Sequence, residues 1–136
     1  MAIEAGHLML KRIADLLDNR KSFSIETTLA TKSYSKMIAD AKEQGYEVIL
    51  LFFWLDEVEL AIERVAKRVR EGGHNIPESV IRRRYELGLK NLFRIFLPIV
   101  DGWWLVDNSH GLNKIIATEK GVVDIERFDK IKCYVG

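Results

Sequence analysis

The sequence predicts an α/β fold, a three-layer domain in which helices cover a mainly parallel sheet. Three observations predict it. Helical and strand-like patterns alternate along the chain. The apolar run "VILLFFWL" (Val48–Leu55) lacks a period of two, as a strand covered on both faces would. Two polar stretches, Glu26-Thr27-Thr28 and Asp107-Asn108-Ser109, close strand-like runs at the place where parallel sheets hold their ligands.

Each element has its own reason. Residues 2–19 carry Ile3, Leu10, Ile13 and Leu17, with Met9 and Leu16 beside them, at the spacing of an amphipathic helix. "SFSIETT" (Ser22–Thr28) follows a polar break and is rich in strand formers. "KSYSKMIADAKEQG" reads as a helix that Gly45 ends, and "YEVILLFFWL" as the buried strand. "DEVELAIERVAKRVREGG" has Asp56 as its expected N-cap and Arg68 and Arg70 in its last turn, which suits the helix dipole at both ends. Pro77 fits the first turn of the next helix, "PESVIRRRYELGLKNLFRIF". "WWLVDNS" is a further strand, and "KIIATEKGVVDIERF" reads as a C-terminal hairpin with a Lys-Gly bend. Residues 1–136 are expected to form a single domain.

The totals narrow the function classes. A net charge of +1 creates no global field toward nucleic acid or a membrane. The single cysteine, Cys133, excludes an internal disulfide and a cysteine-based zinc site. The start of the chain carries Glu4 where a secretory leader would be basic, and Val48–Leu55 is too short to span a bilayer. A cytoplasmic protein is expected.

Against that neutral background the charge is uneven. From Glu63 to Arg94 nine lysines and arginines stand against four glutamates, so the helix–loop–helix (about 57–95) concentrates a local positive excess in a chain whose net charge is only +1. Arginine's planar fork suits phosphate oxygens, and a Gly72-Gly73 hinge would let the two helices close on an anion. At roughly 100° per residue Arg82, Arg83 and Arg84 cannot all face one ligand. With Ile81, Tyr85, Gly88, Leu92 and Ile95 packed inward, Arg83 points away and Arg82 and Arg84 flank the stripe. The plainer reading is a solvated face of Glu–Arg pairs. His74 lies in the hinge; His7 and His110 have no partner at metal-ligand spacing, so no metal site is expected. Trp54, Trp103 and Trp104 read as core and rim aromatics, and Cys133 as inert. RNA binding is disfavoured, because aromatics are not interleaved with the arginines as stacking platforms.

The stretches "FSIETTLATKSY", "GYEVILLFFWLDEVELAIERVAKRVREGGHNIPESVIRRRYELGLKNLF" and "WWLVDNS" together resemble the zeta-toxin-like P-loop kinases, in particular their small bacterial predicted-ATPase branch. The resemblance runs from about Ala2 to Ser109. It implies a P-loop-kinase-like fold, ATP and Mg2+ as cofactors, and transfer of a phosphoryl group to a small-molecule hydroxyl, with a UDP-activated amino sugar as acceptor. It further implies that Glu26, with Thr27 and Thr28, binds that acceptor. Arg70, His74 and one or more of Arg82, Arg83 and Arg84 would form a lid over the phosphates. An antitoxin becomes a possible partner.

The sequence departs from the family at one place. It contains no G-x-x-x-x-G-K-[ST] loop and no aspartate following one. The chain is therefore expected to be a truncated member lacking the P-loop strand, with no residues assigned to catalysis and no kinase activity alone. A sheet without that strand exposes edges and apolar faces, so a homodimer or a rearranged sheet is expected. The alternative function is a non-catalytic module that binds a phosphorylated small molecule.

Overall fold

A computed structural model describes residues 2–135, with side chains from residue 7 onward, so Ile3 and Glu4 lie outside the described side chains. In chain order the elements are α1 (Ala2–Asp18), α2 (Tyr34–Glu43), β1 (Ile49–Trp54), α3 (Val58–Arg70), α4 (Glu78–Asn91), β2 (Gly102–Asp107), β3 (Lys114–Thr118), β4 (Gly121–Val122) and α5 (Ile125–Val135). The sheet order is β1-β2-β3-β4. The β1–β2 pair is parallel, and β2–β3 and β3–β4 are antiparallel, so the α/β sheet is mixed and ends in a C-terminal hairpin.

Burial follows the pleat. On β1, Leu50, Phe52 and Trp54 face the core. They join Leu105 of β2, Ala117 of β3, Leu89, Leu92 and Phe96 from α4 and the π-helical turn after it, and Ile131 of α5. A second cluster centres on Ile13 and Leu17 of α1 and Ala41 of α2. The turn Leu92–Phe96 widens to π-type bonding, with the Leu97 amide donating to Leu92 O at 2.8 Å.

Several expectations change. Ser22–Thr28 is not a strand: residues 21–28 have no regular secondary structure. Phe23 and Ile25 still pack on the α1 cluster while Ser24 and Glu26 face outward, so the period of two is real but no neighbouring strand pairs with it. β1 is not covered on both faces, because Ile49, Leu51 and Phe53 are more than half exposed. Of the α1 stripe, Ile13 and Leu17 are buried, whereas Met9 and Leu10 are exposed. Asp56 does not cap α3; Glu57 occupies that position without a side-chain hydrogen bond. The end of "VVDIERF" belongs to α5, where the Asp124 carboxylate accepts from the Arg127 amide at 3.1 Å as an N-cap does.

Both glycine-terminated helices end alike. Gly45 at φ +90° lets its own amide and that of Tyr46 bond back to Lys42 O and Ala41 O, each at 3.0 Å. Gly72 at φ +95° and Gly73 do the same onto Val69 O and Arg68 O. The Gly-Gly pair is thus a hydrogen-bonded helix cap, and a Cβ on Gly73 would lie 2.8 Å from Arg68 O. It fixes the end of α3. Any hinge between the helices falls in residues 74–77. No helix among the described residues is long and apolar enough to cross a membrane.

Candidate functional site

The parallel pair sets the geometry. Trp54 and Asp107 are register partners, so the carboxyl ends of β1 and β2 open side by side. The chain leaving β2 crosses to the exit of β1: the Asn108 amide donates to Trp54 O at 2.8 Å, and the Ser109 hydroxyl accepts from the Asp56 amide at 2.9 Å. Asp107 is buried, and its carboxylate accepts from the Ser109 amide at 2.8 Å and from Arg127 Nε at 2.7 Å. Burial pushes the Asp107 carboxyl up, but the hydrogen bonds from Ser109 and Arg127 outweigh it and hold the group below its ordinary value. Asp56 contributes a buried carboxylate oxygen, Oδ1, without a hydrogen-bond partner among the described residues.

Helix α3 is latched onto this edge. Arg64 Nη2 donates to both Asn108 O at 2.9 Å and Asn108 Oδ1 at 2.7 Å. One helical turn apart, Arg64, Lys67 and Arg70 then line a cavity of about 330 Å³ whose other walls are Leu60, Glu63, His110 and Gly111. His110 is held at φ 51°, a left-handed conformation uncommon for a side-chain-bearing residue. Three cations, one carboxylate and an imidazole therefore converge beside the strand ends. Such a donor set fits phosphate oxygens. It does not fit a metal, and no group of three His, Cys, Asp or Glu side chains among the described residues could hold one.

The structure divides the residues that the sequence grouped. Arg70 lies in the cavity, together with Lys67, Arg64 and His110, which were not singled out as ligands. Arg82 donates to Glu78 Oε1 at 2.8 Å and stands 3.5 Å from Glu59 Oε1, tying α4 to the first turn of α3. Eleven residues separate Glu59 from Arg70, roughly 16 Å along the helix. Arg70 and Arg82 are thus at opposite ends of α3, and the Arg82 end is occupied by ion pairing. Arg83, Arg84 and His74 are exposed, with no ion pair among the described residues.

Glu26, Thr27 and Thr28 are exposed on the segment before α2, and that segment is docked on α4. The Thr27 and Thr28 hydroxyls accept from the amides of Leu29 and Ala30, closing two small turns. Leu29 sits at φ 61° with its side chain buried and its carbonyl bonded by Asn91 Nδ2 at 2.7 Å. Gly88 makes the approach possible, since a Cβ there would lie 2.4 Å from Thr28 O. Asn91, a buried polar residue in an otherwise apolar helix face, was the signal that sequence reading passed over.

A Haemophilus influenzae protein, itself uncharacterized, is 31% identical over 83 residues, covering 61% of this chain and 59% of that protein. The match thus spans less than two thirds of the curated relative's length. No solved structure matches the chain. The family model described as Zeta toxin matches residues 1–99, which include α1 through α4 and every cavity-lining residue except His110 and Gly111. The chain belongs to the Zeta toxin family.

Proposed function

We infer from its family membership a kinase-like, nucleotide-related function for this chain. We propose that this chain binds the phosphates of a nucleotide or nucleotide-like small molecule in the cavity between α3 and the end of β2. The observation that supports the reading most is the alignment of Arg64, Lys67 and Arg70 beside the carboxyl edge of the parallel pair. Arg70 and Lys67 supply charge-assisted hydrogen bonds to phosphate oxygens, and Arg64 holds the wall of the cavity through Asn108. ATP is the expected nucleotide, and when bound with Mg2+ it would supply the transferable phosphoryl group. The donors present fit its phosphates, so the role of these residues is to grip and orient them. Glu26, Thr27 and Thr28 are the proposed acceptor-side residues, with a hydroxyl on a UDP-amino-sugar-like molecule as the group they would orient. Their hydroxyls are already held in turns, which fixes the segment on which Glu26 stands.

The reading gives these 136 residues binding without transfer by themselves, because phosphoryl transfer depends on positioning by a phosphate loop that the sequence does not contain. By family context the proposal includes an antitoxin-type protein partner. Calorimetric titration with ATP at low salt tests the phosphate reading. The expected result is saturable binding that needs no Mg2+, weakens steeply with salt, and falls at least tenfold in Arg70→Ala and in Lys67→Ala. Binding that is absent, or unchanged in both variants, would contradict it.

A further inference from the structure

β1 is an edge strand, and the backbone hydrogen bonds of its flanks reveal which way each residue points. Val48 O accepts from the amides of Asp101 and Gly102, and Trp54 O accepts from the amide of Asn108, all on the β2 side. In a parallel ladder the N–H and C=O of one residue point to the same neighbour, and alternate residues point to opposite sides. Val48, Leu50, Phe52 and Trp54 therefore face β2. Ile49, Leu51 and Phe53 turn their N–H and C=O groups outward, to an edge where no strand pairs among the described residues.

The same three residues carry the open apolar face, at 51%, 58% and 54% exposure. Trp104, the register partner of Leu51, extends that face at 42%, and Ile115 of β3 continues it at 37%. The strand "ILLFFW" has none of the devices that guard edges: no lysine, proline or bulge interrupts it, and no charge lies between Val48 and Leu55.

We propose that β1 is the contact between two copies of this chain, paired antiparallel about a two-fold axis at Leu51. This goes beyond the nucleotide reading and does not rest on it. In that register Leu51 faces Leu51 of the second copy, and Ile49 faces Phe53. All three are hydrogen-bonded pairs, so the outward N–H and C=O groups of both strands are satisfied together. The apolar face becomes continuous across an eight-stranded sheet. A second copy suits this edge because an isologous contact needs a self-complementary patch, and a net charge of +1 opposes association little. Edge pairing sets the second strand beside Ile49, Leu51 and Phe53 and leaves Trp104 and Ile115, one and two strands further in, uncovered, so the area buried lies below that of a standard specific interface. The dimer is therefore of the reversible kind.

The test is sedimentation analysis of the full chain from low to high micromolar concentration, with Leu51→Lys and Leu51→Glu. The wild type is expected to dimerise with rising concentration. Each variant alone, with unchanged circular dichroism, is expected to stay monomeric because like charges meet on the axis. An equimolar mixture of the two is expected to dimerise again. Phe53→Lys serves as the second disrupting variant should a Leu51 variant fail to fold. A wild type that stays monomeric throughout, or a dimer indifferent to Leu51 and Phe53 charges, would overturn the proposal.

Discussion

The arginine of α4 that meets the first turn of α3 and the cations of α3 itself stand in opposite circumstances. At its start, Glu59 meets Arg82 of α4, and Arg82 is already bonded to Glu78. From its middle to its last residue, Arg64, Lys67 and Arg70 line a cavity with Glu63 as the single carboxylate in its wall. The difference teaches that a surplus of arginine in sequence divides in space into charge that ties helices together and charge left for a ligand. Exposed pairs such as that of Arg82 add little to stability, while exposed cations without a carboxylate partner beside a strand edge can bind anions.

The largest expected effect breaks the platform beneath the ligand end. Asp107 joins β2 to α5 through Arg127 and fixes the Ser109 turn. Asp107→Ala removes one member of a partly buried pair and is expected to cost about 2–3 kcal/mol, read as a lower denaturant midpoint. The pH dependence follows from the same carboxyl. Its folded pKa lies below the unfolded value, so its stabilisation is present above the unfolded value and is lost as pH falls through the folded one. The wild type should therefore lose stability in acid more steeply than Asp107→Asn, which has no such group to titrate. Parallel acid-denaturation slopes would remove Asp107 from the account.

A smaller effect concerns the acceptor-side segment. Gly88→Ala gains helix propensity but drives a methyl group into Thr28 O, and the net cost is expected to be about 1–2 kcal/mol. Its sharper signature is local: amide exchange should rise over residues 26–30 and stay unchanged in β2. The smallest effect is at Arg82. Arg82→Ala should leave both the melting temperature and ATP affinity within error of the wild type, in contrast to Arg70→Ala. A loss of affinity at Arg82 comparable to that at Arg70 would erase the distinction between the two ends.

Much of the fold was legible because periodicity reports burial directly. The four N-terminal helices and β1 and β2 follow their apolar patterns, and Gly45 and Gly72 mark helix ends where their positive φ is needed. The failures share a physical cause. Phe23 and Ile25 show which side of a segment packs, but a strand also needs a partner, which no local pattern supplies. The unbroken run of β1 could not say how many faces other elements would cover. α5 was legible in the Asp124 cap and the spacing of Phe128, Ile131 and Val135, yet its β-branched start favoured a strand reading. At the site, Arg70 entered through the family resemblance, as one of the lid residues it implies. Lys67, Arg64 and His110 join it only through the crossing of the β2 exit over β1, which is a tertiary fact.

The most direct test of the central claim is backbone nuclear magnetic resonance of the chain titrated with inorganic pyrophosphate. The account predicts saturable shifts centred on residues 64–70 and 108–111, with none at Glu59 or across 78–84. Shifts centred on Arg82, Arg83 and Arg84, or none at the cavity, would contradict it.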